Sequence, residues 1–191
     1  MKRTVYIISG PAGIGKSTVA SELAKSLEDS AYISGDDVID MHVGGKEKPW
    51  KSEKEVNLLW DNIIALTKNF LKVGDVIIDY VTFPSRLTWI KEALNDYDVL
   101  INYVLLWAED EVLKNRDLLR LPEHQMKKRS LILKREFEEE KPDERYILNT
   151  GNDETFDVNS LVSTILSDDR FLITKDNNEQ YWRKMYDRFK K

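Results

Sequence analysis

The 191-residue chain has no cysteine. That excludes a disulfide scaffold, thiolate metal sites and cysteine nucleophiles. Only two histidines are present, His42 and His124, too few for a multi-histidine metal centre. There is no excess of positive charge. Twenty-nine Lys and Arg against 34 Asp and Glu give a formal net charge of −5, so no global basic field draws the chain to nucleic acid or anionic lipid. No run approaches the ~20 apolar residues that span a bilayer. Met1-Lys2-Arg3 resembles the charged start of a signal peptide, but the apolar run behind it stops at Ser9-Gly10-Pro11, and the expectation is a cytoplasmic chain.

What is present fits a soluble α/β domain. Hydrophobic residues make up 41% and charged residues 33%, and a chain this long buries a core without staples. Thr4 to Ser9 is β-branched and apolar and ends at a glycine-rich turn, as a buried parallel strand does. Ser17 to Leu27 has helical spacing. Ala31 to Ser34, Asp75 to Val81, Val99 to Trp107 and Arg145 to Asn149 read as four further strands. Ser52-Glu53-Lys54-Glu55 predicts a capping box opening a helix with Val56, Leu59, Trp60, Ile63, Phe70 and Leu71 on its apolar face and Gly74 at its end. Pro84 starts a helix, two more fall near 109–120 and 123–140, and Asp157 caps another. Strands alternating with helices predict βαβ units and a parallel, doubly wound sheet.

The most informative segment is Gly10-Pro11-Ala12-Gly13-Ile14-Gly15-Lys16-Ser17, followed by Thr18. It fits the Walker A pattern G-x-x-x-x-G-K-[ST], after a strand and opening a helix. Glycines let successive N–H groups point into one concavity, and the helix start favours an anion. Lys16 supplies a point charge for the β- and γ-phosphates, and the Ser17 hydroxyl is a Mg²⁺ ligand.

Chemistry on a bound nucleotide needs more groups at the carboxyl ends of the strands. Asp79 closes an apolar strand, suiting a metal-side carboxylate opposite Ser17. Asp36 follows the second strand, placed to take a proton from an attacking hydroxyl. Asp37 is the alternative base or a helix cap. Arg116 and Arg120 lie one turn apart after the fourth strand, where arginines offset transition-state charge. Met41, His42 and Trp50 are candidates for lining an acceptor site within 37–60.

In this order, IISGPAGIGKST, AYISGDD, VIIDYVTFP, LLW...NRDLLR and DERYILNT resemble the P-loop small-molecule kinases, which include gluconate kinases, shikimate kinases and chloramphenicol phosphotransferases. The resemblance covers about residues 3–170. It implies five parallel strands in order 2-3-1-4-5, helices on both faces, a helical lid over roughly 109–140, and ATP with Mg²⁺. It implies a cytoplasmic kinase transferring the γ-phosphoryl group to a small-molecule hydroxyl. Lys16, Asp36, Arg116 and Arg120 are then catalytic, residues 10–18 hold nucleotide, and Ser17 and Asp79 serve the metal. A sugar acid such as gluconate is one acceptor so implied. Gluconate kinases carry a Gly-Asp followed shortly by His-Pro; here Gly35-Asp36 is present but His42 precedes Val43.

The rival reading is a nucleotide-binding regulator without transfer activity. A guanine reader N-K-x-D is approached only by Thr174-Lys175-Asp176, which lacks the Asn. The reading divides the chain into a kinase domain over 1–174 and an amphipathic helical tail over 175–191, with Tyr181, Trp182, Met185, Tyr186 and Phe189 on one face. That face suits docking on the body or a homodimer contact.

Overall fold

The computed structural model describes residues 2–122, 125–151 and 155–173. The tail expectation, Thr174-Lys175-Asp176 and His124 lie outside the described residues. Five strands, β1 (Arg3–Ser9), β2 (Ser30–Ser34), β3 (Asp75–Asp79), β4 (Val99–Trp107) and β5 (Ile147–Asn149), form one sheet in the order β2-β3-β1-β4-β5. Every pairing is parallel, with Ile8 level with Asp79 and Ser34 level with the same Asp79 from the other side. The order is the one the resemblance implies.

Alternation along the strands builds two cores. Val5 and Ile7 of β1 face one side and Tyr6 and Ile8 the other, as the two-residue period of a strand requires. On the first side the sheet packs on α3 (Glu53–Phe70), α4 (Leu87–Ala93) and α6 (Lys128–Glu139), through Leu59, Ile63, Ile90 and Phe137. On the second it packs on α1 (Lys16–Ser26), α5 (Asp110–Leu118) and α7 (Val158–Ser167), through Val19, Leu23, Leu113 and Ile165. Burial on both faces explains why the strands read as continuous apolar runs.

Several local expectations are corrected. The third strand stops at Asp79 rather than Val81. The fifth begins at Ile147, because Glu144–Tyr146 form one turn of 3₁₀ helix. Phe70 lies in the last turn of α3 and remains 40% exposed, while Ile64 and Thr67 take the buried stripe. The capping box forms only half. The Glu55 N–H donates to Ser52 Oγ at 3.4 Å, but the Glu55 carboxylate turns to His42 Nδ1 at 3.0 Å. The Ser52 N–H is met by the Pro49 carbonyl instead. The stretch left open after Asp37 contains a short helix, α2 (Gly35–Asp40), capped by Ser34, whose hydroxyl accepts from the Asp37 N–H at 3.2 Å.

Candidate active site

The loop between β1 and α1 runs through Gly10, Gly13 and Gly15 at φ of 137°, 83° and 104°, a region closed to most side chains. Space is short as well. A Cβ at Gly10 would lie 2.6 Å from the Leu106 carbonyl oxygen, and one at Gly15 would lie 3.0 Å from the Phe156 ring. The start of the loop is tied to the sheet by a buried polar knot. Ser9 Oγ donates to the Thr82 carbonyl at 2.8 Å and accepts the Thr82 N–H at 2.9 Å, and Tyr103 Oη donates to the same carbonyl at 2.7 Å.

Lys16 Nζ reaches back across the loop to the Pro11 carbonyl at 3.2 Å. Withdrawal from water pulls its pKa below the usual lysine value. Asp79 and Asp36 oppose this, and Arg120 adds to it. That electrostatic coupling brings Lys16, Asp36, Asp79 and Arg120 into one neighbourhood. Asp36 stands in the first turn of α2, open to solvent on one side. Desolvation lifts its carboxyl above the ordinary range; Lys16 pulls it down, and Asp79, Asp40 and Asp37 push it up.

Asp79 is buried at the end of β3 and accepts a hydrogen bond from Tyr32 Oη at 2.7 Å. The same phenol lies beside the Ser17 side chain, and burial with the Asp79 contact raises its pKa. Tyr32 thus stands between Ser17 and Asp79. A hydroxyl and a carboxylate so placed are hard oxygen donors of the kind Mg²⁺ takes, with water completing its shell. Among the described residues no cluster of three or more His, Cys, Asp or Glu could hold a metal by itself.

The two arginines part company. Arg116 Nη1 donates to the Ile14 carbonyl at 3.1 Å and to Thr150 Oγ1 at 2.8 Å, and Nη2 to the Gly151 carbonyl at 3.3 Å. Its guanidinium also lies 4.6 Å from the Phe156 ring centroid. It clamps the glycine loop to the segment after β5. Arg120 instead is exposed, 4.0 Å from Asp117 Oδ1. Asp117 is buried and accepts the N–H groups of Met126 at 2.8 Å and Lys127 at 2.6 Å, fixing the turn into α6.

Beside Asp36 opens a cleft of about 1110 Å³ between the α2–α3 segment and α6. Trp50, one of the proposed lining residues, borders it. Met41 and His42 do not. They face a separate pocket of about 390 Å³ with Glu55. Sequence reasoning passed over Tyr32, Thr82 and Phe156. The partners of the first two are 47 and 73 residues away and Phe156 is known only through packing, so no local pattern marks them.

The geometry is that of a P-loop domain, and the comparisons agree. The AAA domain family matches residues 5–143, and the chain belongs to that family. Among solved structures it is similar to a tunicamycin resistance protein from Deinococcus radiodurans, at 16% identity and a TM-score of 0.61, over 87% of this chain and 95% of that one. A gluconokinase from Sinorhizobium meliloti 1021 is similar at 16% identity and a TM-score of 0.56, over 99% and 95%. A sugar kinase from Janibacter sp. HTCC2649 is similar at 15% identity and a TM-score of 0.61, over 87% and 94%. These likenesses show the fold. No protein of curated function matches the sequence. Among the described residues no helix is long and apolar enough to cross a membrane.

Proposed function

We propose that the protein is an ATP-dependent kinase that phosphorylates a hydroxyl of a small molecule. The observation that carries this reading is the pairing of a glycine cradle with an acceptor-sized cleft, with Asp36 between them. A nucleotide regulator needs the first and has no use for the second.

In this reading the N–H groups of residues 10–18 and the start of α1 hold the phosphates of ATP. Lys16 releases Pro11 and turns its ammonium onto the β- and γ-phosphates. Ser17, with Asp79 behind it, would hold Mg²⁺, which would supply neutralising charge at the leaving phosphate. Asp36 accepts the proton as the acceptor oxygen attacks the γ-phosphorus and the bond to the ADP oxygen breaks. Its carboxyl, held above the ordinary range by desolvation, is the stronger base for it. Arg120, exposed and in the electrostatic reach of Lys16, offsets charge on the transferring group. Arg116 holds the cradle in shape.

The test is acceptor-stimulated ADP release over a panel of hydroxyl compounds. Lys16→Ala is expected to reduce turnover by at least ~10²-fold, the scale of a lost transition-state charge partner. Asp36→Asn is expected to keep ATP affinity within about twofold and lose transfer by ~10²-fold or more. An Asp36→Asn protein with unchanged kcat removes the base assignment. Absence of ATP binding in the presence of Mg²⁺ removes the reading itself.

A further inference from the structure

The cleft beside Asp36 has a chemistry that restricts what can lie in it. Seven carboxylates line it: Asp36, Asp40, Glu47 and Glu53 on the α2–α3 side, and Glu136, Glu139 and Glu140 at the end of α6. Four cations face them: Lys46, Lys48, Arg86 and Arg129. The excess is negative. It stays negative even if Glu140, whose pKa burial raises, holds a proton.

The cations are also engaged within the protein. Arg129 spends both terminal nitrogens on Glu136, at 3.0 and 3.4 Å. Lys46 is paired with Asp40. Lys48 lies 5.4 Å from the Trp50 ring centroid and Arg86 lies 5.5 Å from that of Trp89. Carboxylate recognition is best served by an arginine fork presented to the ligand. The fork of Arg129 is filled from behind.

The remaining wall is apolar. Tyr80 and Phe83 stand in it, with Trp60 edge-on to Tyr80 at 6.1 Å between ring centroids. Trp50 at the rim is 55% exposed. A volume of about 1110 Å³ is at the upper end of what drug-sized ligands occupy, and a six-carbon sugar acid would leave most of this wall wet.

We infer that the acceptor is a hydroxyl compound without an anionic group, neutral or cationic, with an apolar body that covers the Tyr80–Phe83 wall. The inference rests on the kinase reading for the word acceptor, and on the cleft alone for the ligand class. A sugar acid brings a negative charge into a cleft of net negative lining beside a triphosphate, with Lys46 and the Arg129 fork already on carboxylates.

The experiment uses three probes on the full chain with ATP and Mg²⁺: chloramphenicol as a neutral aromatic diol, kanamycin as a cationic polyol and gluconate as an anionic polyol. Binding is read by tryptophan fluorescence, since Trp50 and Trp60 line the cleft, and transfer by ADP release. Chloramphenicol or kanamycin is expected to bind at least tenfold more tightly than gluconate. In Glu136→Gln/Glu139→Gln the kanamycin-to-gluconate affinity ratio is expected to fall at least tenfold, a change of selectivity that loss of fold alone does not produce. Gluconate binding as tightly as the other two, or neither of the other two binding, overturns the inference. Cleft binding with the expected order but no Lys16-dependent ADP release would leave the inference standing and remove the kinase reading.

Discussion

The Tyr32 hydroxyl donates to Asp79 Oδ2 at 2.7 Å across neighbouring strands, and the same phenol lies beside the Ser17 side chain. One side chain from β2 thus stands between the two groups assigned to the metal. It gives the buried Asp79 carboxylate a partner, which a buried charge requires.

Removing that hydroxyl leaves the carboxylate short of a donor. Tyr32→Phe is expected to destabilise the ligand-free protein by about 1.5–3 kcal/mol, the range for a hydrogen bond to a charged group. That is a fall of several degrees in Tm for a domain of this size. The ion supplies the missing partner, so the Tm rise on adding ATP and Mg²⁺ is expected to exceed that of the unsubstituted protein. Thermal denaturation with and without Mg²⁺ and ATP measures both. An equal rise in the two proteins contradicts the shared-gap reading.

The two arginines are expected to separate in a stability and activity comparison. Arg116→Lys loses the planar fork that reaches Ile14, Thr150 and Gly151. It should cost about 2 kcal/mol in denaturant unfolding and weaken ATP binding about tenfold or more in titration calorimetry. Arg120→Ala removes an exposed group and should change stability by less than about 0.5 kcal/mol. Its loss is expected in kcat, with ATP affinity nearly unchanged.

Gly35 carries the Tyr80 ring directly on its backbone. A Cβ there would meet Tyr80 Cδ2 at 2.3 Å. Gly35→Ala is expected to destabilise by about 1–3 kcal/mol through overpacking and to displace α2, and Asp36 with it. The clash extends to Tyr80 Cβ, at 2.7 Å, so adding Tyr80→Gly, which removes that whole side chain, should recover part of the loss. A double-mutant cycle with no coupling between the two positions refutes this account.

The pH dependence follows from Asp36. Its folded-state pKa lies above the ordinary 3.8, chiefly through desolvation. A base must be unprotonated, so kcat/KM is expected to fall on the acid side with an apparent pKa above 3.8. The stability contribution has the opposite sense. A raised carboxyl binds its proton more tightly in the folded state, so this group opposes folding at neutral pH, and the cost is relieved as pH falls through its folded pKa. An NMR titration of Asp36 alongside the pH–rate profile checks the assignment; an acid limb at or below 3.8 contradicts it.

Sequence by itself determined the frame: the strand runs, their alternation with helices, and the glycine loop with Lys16 and Ser17. These are local, because a parallel strand buried on both faces must be apolar throughout and a phosphate cradle is built from consecutive residues. The placing of Asp36 and Asp79 at strand ends was legible for the same reason. What tertiary structure decided was everything set by partners distant in sequence. Arg116 and Arg120 look alike as neighbours on a helix; only the approach of Ile14 and Thr150 makes one a clamp and leaves the other exposed. Glu55 satisfied a capping pattern, yet His42 came within reach and took its carboxylate. The cleft's charge is legible only once α6 is laid against the α2–α3 segment. Side-chain pairing there depends on where two remote elements meet, and no window of sequence contains both.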